Sequence, residues 1–305
     1  MSYSFKANND QVKEIIRYYQ GFRVDNDNSF AIFRAKLSDC TITVYTTNTV
    51  LFQGASAKHN YLIWAKKYGY DTSFIAPEDK KEYANLSAIG TDEVGTGDFY
   101  GPVIVAATFV AKDKIAVLQQ LGVKDSKLLT DETIIKLSKK ITKIVPYCIL
   151  VLPNENYNRF YQNNQGNLNY IKAMLHNKVI LKLQRKLEGK PYDVIIIDEF
   201  TPKEKYLKYL NKQKQVEKDI EMVQRAESEH IAVACSSILA RAAFISELEK
   251  LSKKVNRELL KGASNMVDQQ AAEIIKDYGK EIFKSIAKLN FSNFKRALEL
   301  SKKIK

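Results

Sequence analysis

The residues of this chain best able to do chemistry lie between Thr91 and Pro102, where Asp92 and Glu93 stand side by side just ahead of Gly95, Thr96 and Gly97. They follow an apolar, strand-like stretch, so two carboxylates sit on or just beyond a core strand. Consecutive strand residues point to opposite faces, and both acids can serve one site only if the strand ends or bulges there. Gly95 and Gly97 supply that freedom, and without side chains they let another backbone come close. Read alone, the segment is more simply a charged hairpin turn. Asp198 ends the wholly apolar run Val194 to Ile197. It lies beyond the carboxyl end of a buried strand, where α/β proteins place ligands. Glu199 follows it on the opposite face and is its rival. Glu227 precedes a helix rich in small apolar residues, where a lone acid is explained by the helix dipole.

Taken together, these acids ask for another explanation. Carboxylates that converge without Cys or His suit a hard, oxygen-loving cation, Mg²⁺ or Mn²⁺. Gathering them is electrostatically unfavourable unless a cation offsets the repulsion. Two such ions can activate a water, neutralise a phosphate and stabilise a leaving oxygen. Composition agrees: 48 Lys+Arg against 35 Asp+Glu give the 305 residues a net charge of +13, which points to a polyanionic partner. The excess is uneven. Residues 1–80 carry ten Lys+Arg against eight Asp+Glu, while residues 251–305 carry thirteen against six. Much of that basic surface is explained as solvated helix faces, and a stripe tracking a phosphate backbone is the sharper reading. Metal-dependent phosphoryl transfer in a basic protein describes a nuclease.

Other classes drop out. With 45% hydrophobic residues, 12 Gly and 6 Pro, the chain is neither disordered nor collagen-like. Cys40, Cys148 and Cys235 are scattered, odd in number and off metal-ligand spacing, and read as buried, reduced thiols. The N-terminus has no apolar signal-peptide core, and the run Val103 to Ala111 is far short of a membrane span. The expectation is a cytoplasmic protein that does not enter a membrane. No feature calls for an obligate protein partner, so a monomer is expected.

The elements that must position these residues fall into two groups. Helical spacing at Val12, Ile15, Ile16 and Tyr19, strands over 30–37, 40–45 and 50–54, and a helix over 60–68 predict a small α+β domain over residues 1–72. A charged linker follows over 73–86 and a larger domain over 87–305. In the larger domain, 87–94 and 102–111 read as a hairpin. Thr130 caps a helix to about Ile144 ahead of a strand over 145–152. A strong helix covers 169–187, Val194 to Ile197 forms a strand buried on both faces, and helices cover 203–212, 236–251 and part of 267–302. The fold class is α/β, a mixed sheet flanked by helices.

Asp92 to Pro102, the Lys124-Asp125-Ser126-Lys127 run, the strand ending in Asp198, and Ala226-Glu227 leading into Ala234-Cys235-Ser236-Ser237-Ile238-Leu239-Ala240-Arg241 occur in order. Together they resemble the type 2 ribonucleases H, and more closely the ribonuclease HIII family. Three features favour type HIII over ribonuclease HII. Thr96 stands between the glycines where the sister group typically has Arg, Glu227 stands where it usually has Asp, and type HIII members carry a small N-terminal domain resembling TATA-box-binding protein. The resemblance implies an RNase H-like fold and endonucleolytic cleavage of the RNA strand of RNA–DNA hybrids. It also implies Mg²⁺ or Mn²⁺, two ions per site, and 5′-phosphate and 3′-hydroxyl products.

Carried onto this chain, it makes Asp92, Glu93, Asp198 and Glu227 the catalytic, metal-binding acids, with Asp92 bridging the ions. It makes Gly95, Thr96 and Gly97 a grip on the RNA backbone and 2′-hydroxyl. Ser126 and Lys127 become phosphate contacts, against the simpler reading of a helix-starting turn. Asn169, Lys172 and His176 share one helix face that lines the hybrid groove or is merely a solvated polar face. Asp98 and Asp125 read as turn-holding acids, and His230 as a packing residue. On the N-terminal sheet, Phe33, Arg34, Lys36, Tyr45 and Phe52 could touch a duplex, although most such aromatics must be core. The readings that compete are ribonuclease HII-like incision at single ribonucleotides in DNA and a non-catalytic nucleic-acid-binding protein.

Overall fold

A computed structural model describes residues 2–25, 28–37, 39–54, 56–72, 83–123, 129–164 and 166–303. The chain divides into two compact units, 1–80 and 81–305. Four of the residues singled out above, Lys124, Asp125, Ser126 and Lys127, lie outside the described residues, as does most of the 73–86 linker.

The smaller unit is a four-stranded antiparallel sheet, β1 (Ser2–Lys6), β2 (Ala31–Lys36), β3 (Cys40–Tyr45) and β4 (Thr49–Gly54), in the order β1-β4-β3-β2. Helices α1 (Asn9–Tyr19) and α2 (Ala57–Tyr68) cover one face. Asn8 starts α1 with a reciprocal capping box to Gln11, and Gly69, with φ of 73°, lets α2 turn off in the left-handed conformation. Alternation along the strands sends Phe33, Ala35, Ile42, Val44, Val50 and Phe52 into the core, with Tyr19, Tyr61 and Trp64 from the helices. Trp64 Nε1 donates to Tyr19 Oη at 3.1 Å, and Tyr19 Oη donates to Asn60 Oδ1 at 2.9 Å, so the buried polar ends of both aromatic side chains are satisfied. The opposite alternation leaves Ile32, Arg34 and Lys36 exposed on the uncovered face. Strand β1 was not foreseen: its alternation rests only on Tyr3 and Phe5.

The larger unit is built on a mixed five-stranded sheet. Its strands are β5 (Ala88–Val94), β6 (Val103–Val110), β7 (Tyr147–Leu152), β8 (Val194–Asp198) and β9 (Glu221–Val223), in the order β7-β6-β5-β8-β9. The first three form an antiparallel meander, and β8 and β9 add in parallel to β5. Helices α3 (Ile115–Gln120), α4 (Asp131–Ile144), α5 (Asn154–Asn163) and α6 (Leu168–Leu187) lie between β6 and β8 in sequence, then α7 (Lys203–Tyr209), α8 (Ala226–Glu229), α9 (Ile231–Lys254), α10 (Asn265–Tyr278), α11 (Phe283–Ile286) and α12 (Ser292–Ser301). Thr130 Oγ1 caps α4 as its sequence implied.

Two cores sandwich the sheet. Ala88, Ile104, Ala106 and Ile196 face α9 and the helices around it, whereas Ile89, Val103, Val105, Ile195 and Ile197 face α6. Helix α9 is long and apolar enough to cross a membrane by length and composition, yet most of it is buried in the first of these cores. It is apolar on nearly every side because it is the central helix of that core.

Its approach to the sheet is unusually close at Gly90. A Cβ there would lie 2.3 Å from Val233 N and 2.5 Å from Ala232 C, both backbone atoms. Ser236 Oγ donates to Gly90 O at 2.8 Å, and Thr108 Oγ1 donates to Ala232 O at 2.7 Å, locking helix and strands in register. Overpacking a site that can relax only by backbone movement costs about 1–3 kcal/mol or more. Gly90→Ala should therefore lower thermal stability by several degrees. Gly97→Ala, at a position with open space around it and no positive φ, should change it by under about 0.5 kcal/mol. Equal melting temperatures for the two variants, read by circular dichroism, would show that the close approach is not a constraint.

Candidate active site

The pleat of β5 divides its acids. Ala88, Gly90 and Asp92 fall on the α9 face, while Ile89, Thr91 and Glu93 fall on the α6 face, in line with the core membership of Ala88 and Ile89. Strand β8 runs parallel beside it with Thr91 opposite Ile197, which places Asp198 next to Asp92. Asp198 continues the alternation of Ile196 toward α9. Its Oδ1 accepts from Ala226 N at 2.9 Å, a bond that ties the short helix α8, and with it Glu227, to the end of β8. Arg225 makes the turn into α8 with φ of 54°. Ser237, on the first turns of α9, lies 3.5 Å from Glu227 Oε2 and hydrogen-bonds Asp92. Asp92, Asp198 and Glu227 thus lie at the same end of the sheet, the carboxyl end of two parallel strands, with Ser237 bonded to Asp92 and Glu227.

Glu93 reaches the opposite face and is already engaged. Lys172 Nζ lies 2.5 Å from Oε1 and His176 Nε2 2.9 Å from Oε2. Thr91 Oγ1 is 2.8 Å from His176 Nδ1. His176 thus bridges Thr91 and Glu93 through its two ring nitrogens. His176 is fully buried and stacks on Phe200 (centroids 5.3 Å apart), and Lys172 sits 4.1 Å over the same ring. The face of α6 bearing Lys172 and His176 is therefore neither a groove lining nor a solvated face. It is the buried support of Glu93. Asn169, one turn earlier, is only partly covered.

Electrostatics distinguish the two neighbouring acids. Burial pushes the Asp92 carboxyl well above the usual carboxylate range, the charges of Glu93 and Asp198 push it further, and the Ser237 hydroxyl and Glu93 N–H only partly oppose this. Burial acts the same way on Glu93, but His176 and Lys172 outweigh it and hold that carboxyl below its ordinary value. Glu93 is held as an anion by its neighbours, whereas Asp92, with no cation beside it, resists ionising.

The donors on the α9 face are oxygen only, which suits Mg²⁺ or Mn²⁺ rather than zinc. Among the described residues no three acid, His or Cys side chains are drawn close enough to hold an ion as they stand. The acids line one end of the sheet without closing on each other. Cys235, one turn before Leu239 on α9, is buried with its thiol pushed up to about 12, so it is an inert core residue. His230 is also structural. Its Nδ1 accepts from Ala232 N at 3.0 Å at the start of α9, and its Nε2 lies 3.1 Å from Leu86 O.

The glycine turn is asymmetric. Gly95 is required by the chain itself, with φ of 87° and Pro102 O only 2.2 Å from where a Cβ would be. Gly97, expected to share that role, has an ordinary φ, is exposed and has nothing within 4 Å of its absent Cβ. The room above Gly97 is open to a molecule from outside. Asp98 holds the far side of the turn by accepting from Gly262 N at 2.6 Å, a longer-range bond than the local turn expected of it. Sequence reasoning passed over Lys288, whose buried ammonium reaches the carbonyls of Asp98, Tyr100 and Gly101. A lysine in a helical, Lys-rich tail gives no sign of burial.

A mixed sheet with acids at the ends of its central parallel strands defines this unit as a ribonuclease H-type nuclease, and the comparisons agree. Residues 89–294 match the family model described as Ribonuclease HII, and residues 3–73 match one described as Domain of unknown function (DUF3378). The chain is 43% identical over 274 residues to a ribonuclease HIII of Geobacillus sp. (strain WCH70), covering 90% of both chains. It is also 43% identical to one of Bacillus cereus (strain ATCC 10987 / NRS 248), covering 89% of both. The crystal structure of Bst-RNase HIII in complex with Mn²⁺ superposes over the whole of both chains with a TM-score of 0.72 at 37% identity. The chain belongs to the ribonuclease HIII family.

The raised Asp92 carboxyl has a thermodynamic consequence. The native protein holds a proton there that the unfolded chain releases, so the stability of the metal-free protein falls as pH rises through the native value. Asn carries no charge at any pH. Asp92→Asn should therefore stabilise the metal-free protein at pH 7–8, and the gain should shrink toward pH 4. A gain in melting temperature that is flat or grows on acidification would contradict the repulsion.

Proposed function

We propose that this ribonuclease H cuts the RNA strand of an RNA–DNA hybrid endonucleolytically, leaving 5′-phosphate and 3′-hydroxyl ends, at a two-ion centre held by Asp92, Glu93, Asp198 and Glu227. The observation that carries the reading is the placing of Asp92, Asp198 and Glu227 at one end of the sheet, with Ser237 bonded to Asp92 and Glu227, beside a glycine turn whose Gly97 is open to solvent. Mg²⁺ or Mn²⁺ bound there supplies charge for the scissile phosphate and a water acidified for attack. The chain's own residues do the rest. Asp92, raised in pKa and short of positive charge, is the acid with most to gain from a cation. Lys172 and His176 orient Glu93, and Ser237 orients Asp92 and Glu227, as outer residues hold ligands in other metal sites.

Backbone N–H groups at Gly95, Thr96 and Gly97 grip the RNA strand and its 2′-hydroxyl, the group that separates RNA from DNA. Glycine at 97 lets the backbone approach without a side chain between. Ser126 and Lys127 are proposed as phosphate contacts and Asn169 as a hybrid contact near Glu93. In the small unit, Phe33 and Phe52 are core. The duplex-facing role passes to Arg34, Lys36 and Tyr45, which lie on or beside the uncovered sheet face. The protein is taken to act as a monomer in the cytoplasm.

The test compares matched RNA–DNA, RNA–RNA and DNA–DNA duplexes, with and without Mg²⁺, together with a DNA duplex bearing one ribonucleotide. Metal-dependent cleavage of the long hybrid alone is expected. Preferred incision at the single ribonucleotide would favour the ribonuclease HII-like activity instead. Asp92→Asn should lose at least about 10³-fold in rate, the scale of removing a group that acts only on the transition state, while still binding hybrid. Undiminished cleavage by that variant would remove Asp92 from the reaction.

A further inference from the structure

Lys288 is fully buried, and its ammonium is spent on the backbone of one turn. Nζ donates to Asp98 O at 2.8 Å and Gly101 O at 2.5 Å and lies 3.5 Å from Tyr100 O. These carbonyls belong to the residues directly after Gly95, Thr96 and Gly97. Burying a lysine is costly unless its donors are satisfied, and here an ammonium with three donors meets three acceptors from a single four-residue stretch. Burial pushes its pKa down to about 7 against the pull of Asp98.

The rest of the segment is built to hold that lysine in place. Gly101 N donates to Ile286 O at 2.9 Å and Lys288 N donates to Phe99 O at 2.9 Å, so 286–288 pairs with 99–101 like a short strand. From α5, Asn158 Nδ2 donates to Ala287 O at 3.0 Å and its Oδ1 accepts from Leu289 N at 2.9 Å. Asn154 Nδ2 reaches Gly101 O at 2.8 Å. Among the described residues, none of these hydrogen bonds involves Asp92, Glu93, Asp198 or Glu227. All of them hold the backbone of 98–101 or of the 286–289 segment paired with it, whereas Gly97 has nothing within 4 Å of where its Cβ would be.

We propose that Lys288 is a positioning residue for hybrid recognition: by gathering the carbonyls of Asp98, Tyr100 and Gly101 it fixes the turn that presents the Gly95, Thr96 and Gly97 N–H groups to the RNA strand. The proposal rests on the reading of that turn as the RNA grip. Carbonyls held on the ammonium fix the backbone that directly follows Gly95, Thr96 and Gly97, and a turn fixed before substrate arrives loses less entropy on binding.

Hybrid binding is measured in the cleavage-deficient Asp92→Asn background, alone and with Lys288→Met, Lys288→Gln or Gly97→Ala, alongside Mn²⁺ titration of each Lys288 variant in the wild-type background. Lys288→Met should weaken hybrid binding at least tenfold. Lys288→Gln, which keeps an amide donor, should recover part of that loss, and Mn²⁺ affinity should stay within twofold of wild type. In the otherwise wild-type enzyme the loss should appear in KM more than in kcat. Amide hydrogen exchange should quicken over 95–101. Should Lys288→Met fail to fold, Lys288→Gln carries the same readouts. Unchanged hybrid affinity in the Lys288 variants, with Gly97→Ala weakened, overturns the clamp. Unchanged affinity in Gly97→Ala as well overturns instead the turn as RNA grip. Loss of Mn²⁺ affinity in step with hybrid affinity would show a general structural role and also overturns the proposal.

Discussion

The catalytic unit depends on a repulsion. Asp92 and Asp198 lie side by side at the ends of adjacent parallel strands, with Glu93 next in the chain, and burial denies them the water that would screen one another. Such an arrangement costs stability in the absence of a cation, so the surrounding structure must enforce it. It does so with bonds that leave little freedom: Asp198 is tied to α8, and Asp92 and Glu227 are tied through Ser237 to α9, which is itself seated on β5 through the missing side chain of Gly90. Strain of this kind, stored at a site and maintained by packing elsewhere, is the usual relation between stability and function.

The two adjacent acids solve the same problem in different ways. On the α6 face Glu93 is given Lys172 and His176 and becomes a settled anion. On the α9 face Asp92 is given a hydroxyl and an N–H, neither of which carries charge, and its carboxyl is left resisting ionisation. The strand's pleat makes this division possible, since neighbouring residues meet different helices. A site with both acids neutralised internally would have no reason to take up metal, and one with neither would be difficult to fold.

Much of this was legible in the sequence. The apolar run ending in Asp198 and the acid pair ahead of glycines pointed to the sheet's carboxyl edge, where the structure puts these acids, and the mixed sheet with flanking helices is the fold observed. The order of motifs pointed to the family that the relatives confirm. What the sequence hid depends on three-dimensional burial. Lys172 and His176 have the spacing of a polar helix face, and only tertiary packing shows that the face is turned inward against Phe200. Gly95 and Gly97 look equivalent as letters, yet one is needed for φ and the other for empty space. Lys288 looks like surface charge and is buried. The strands β1 and β9 and the helix α5 escaped because each is short or weakly patterned, below the length at which periodicity speaks.

The central claim is that Asp92, Asp198 and Glu227 form an oxygen-only site whose mutual repulsion a divalent cation relieves. Titration of Mn²⁺ into the wild-type protein and into an Asp92→Asn/Asp198→Asn double variant, followed by calorimetry, tests it most directly. The account predicts saturable uptake by the wild type that is abolished in a double variant that still folds. An unchanged isotherm in the double variant would contradict it.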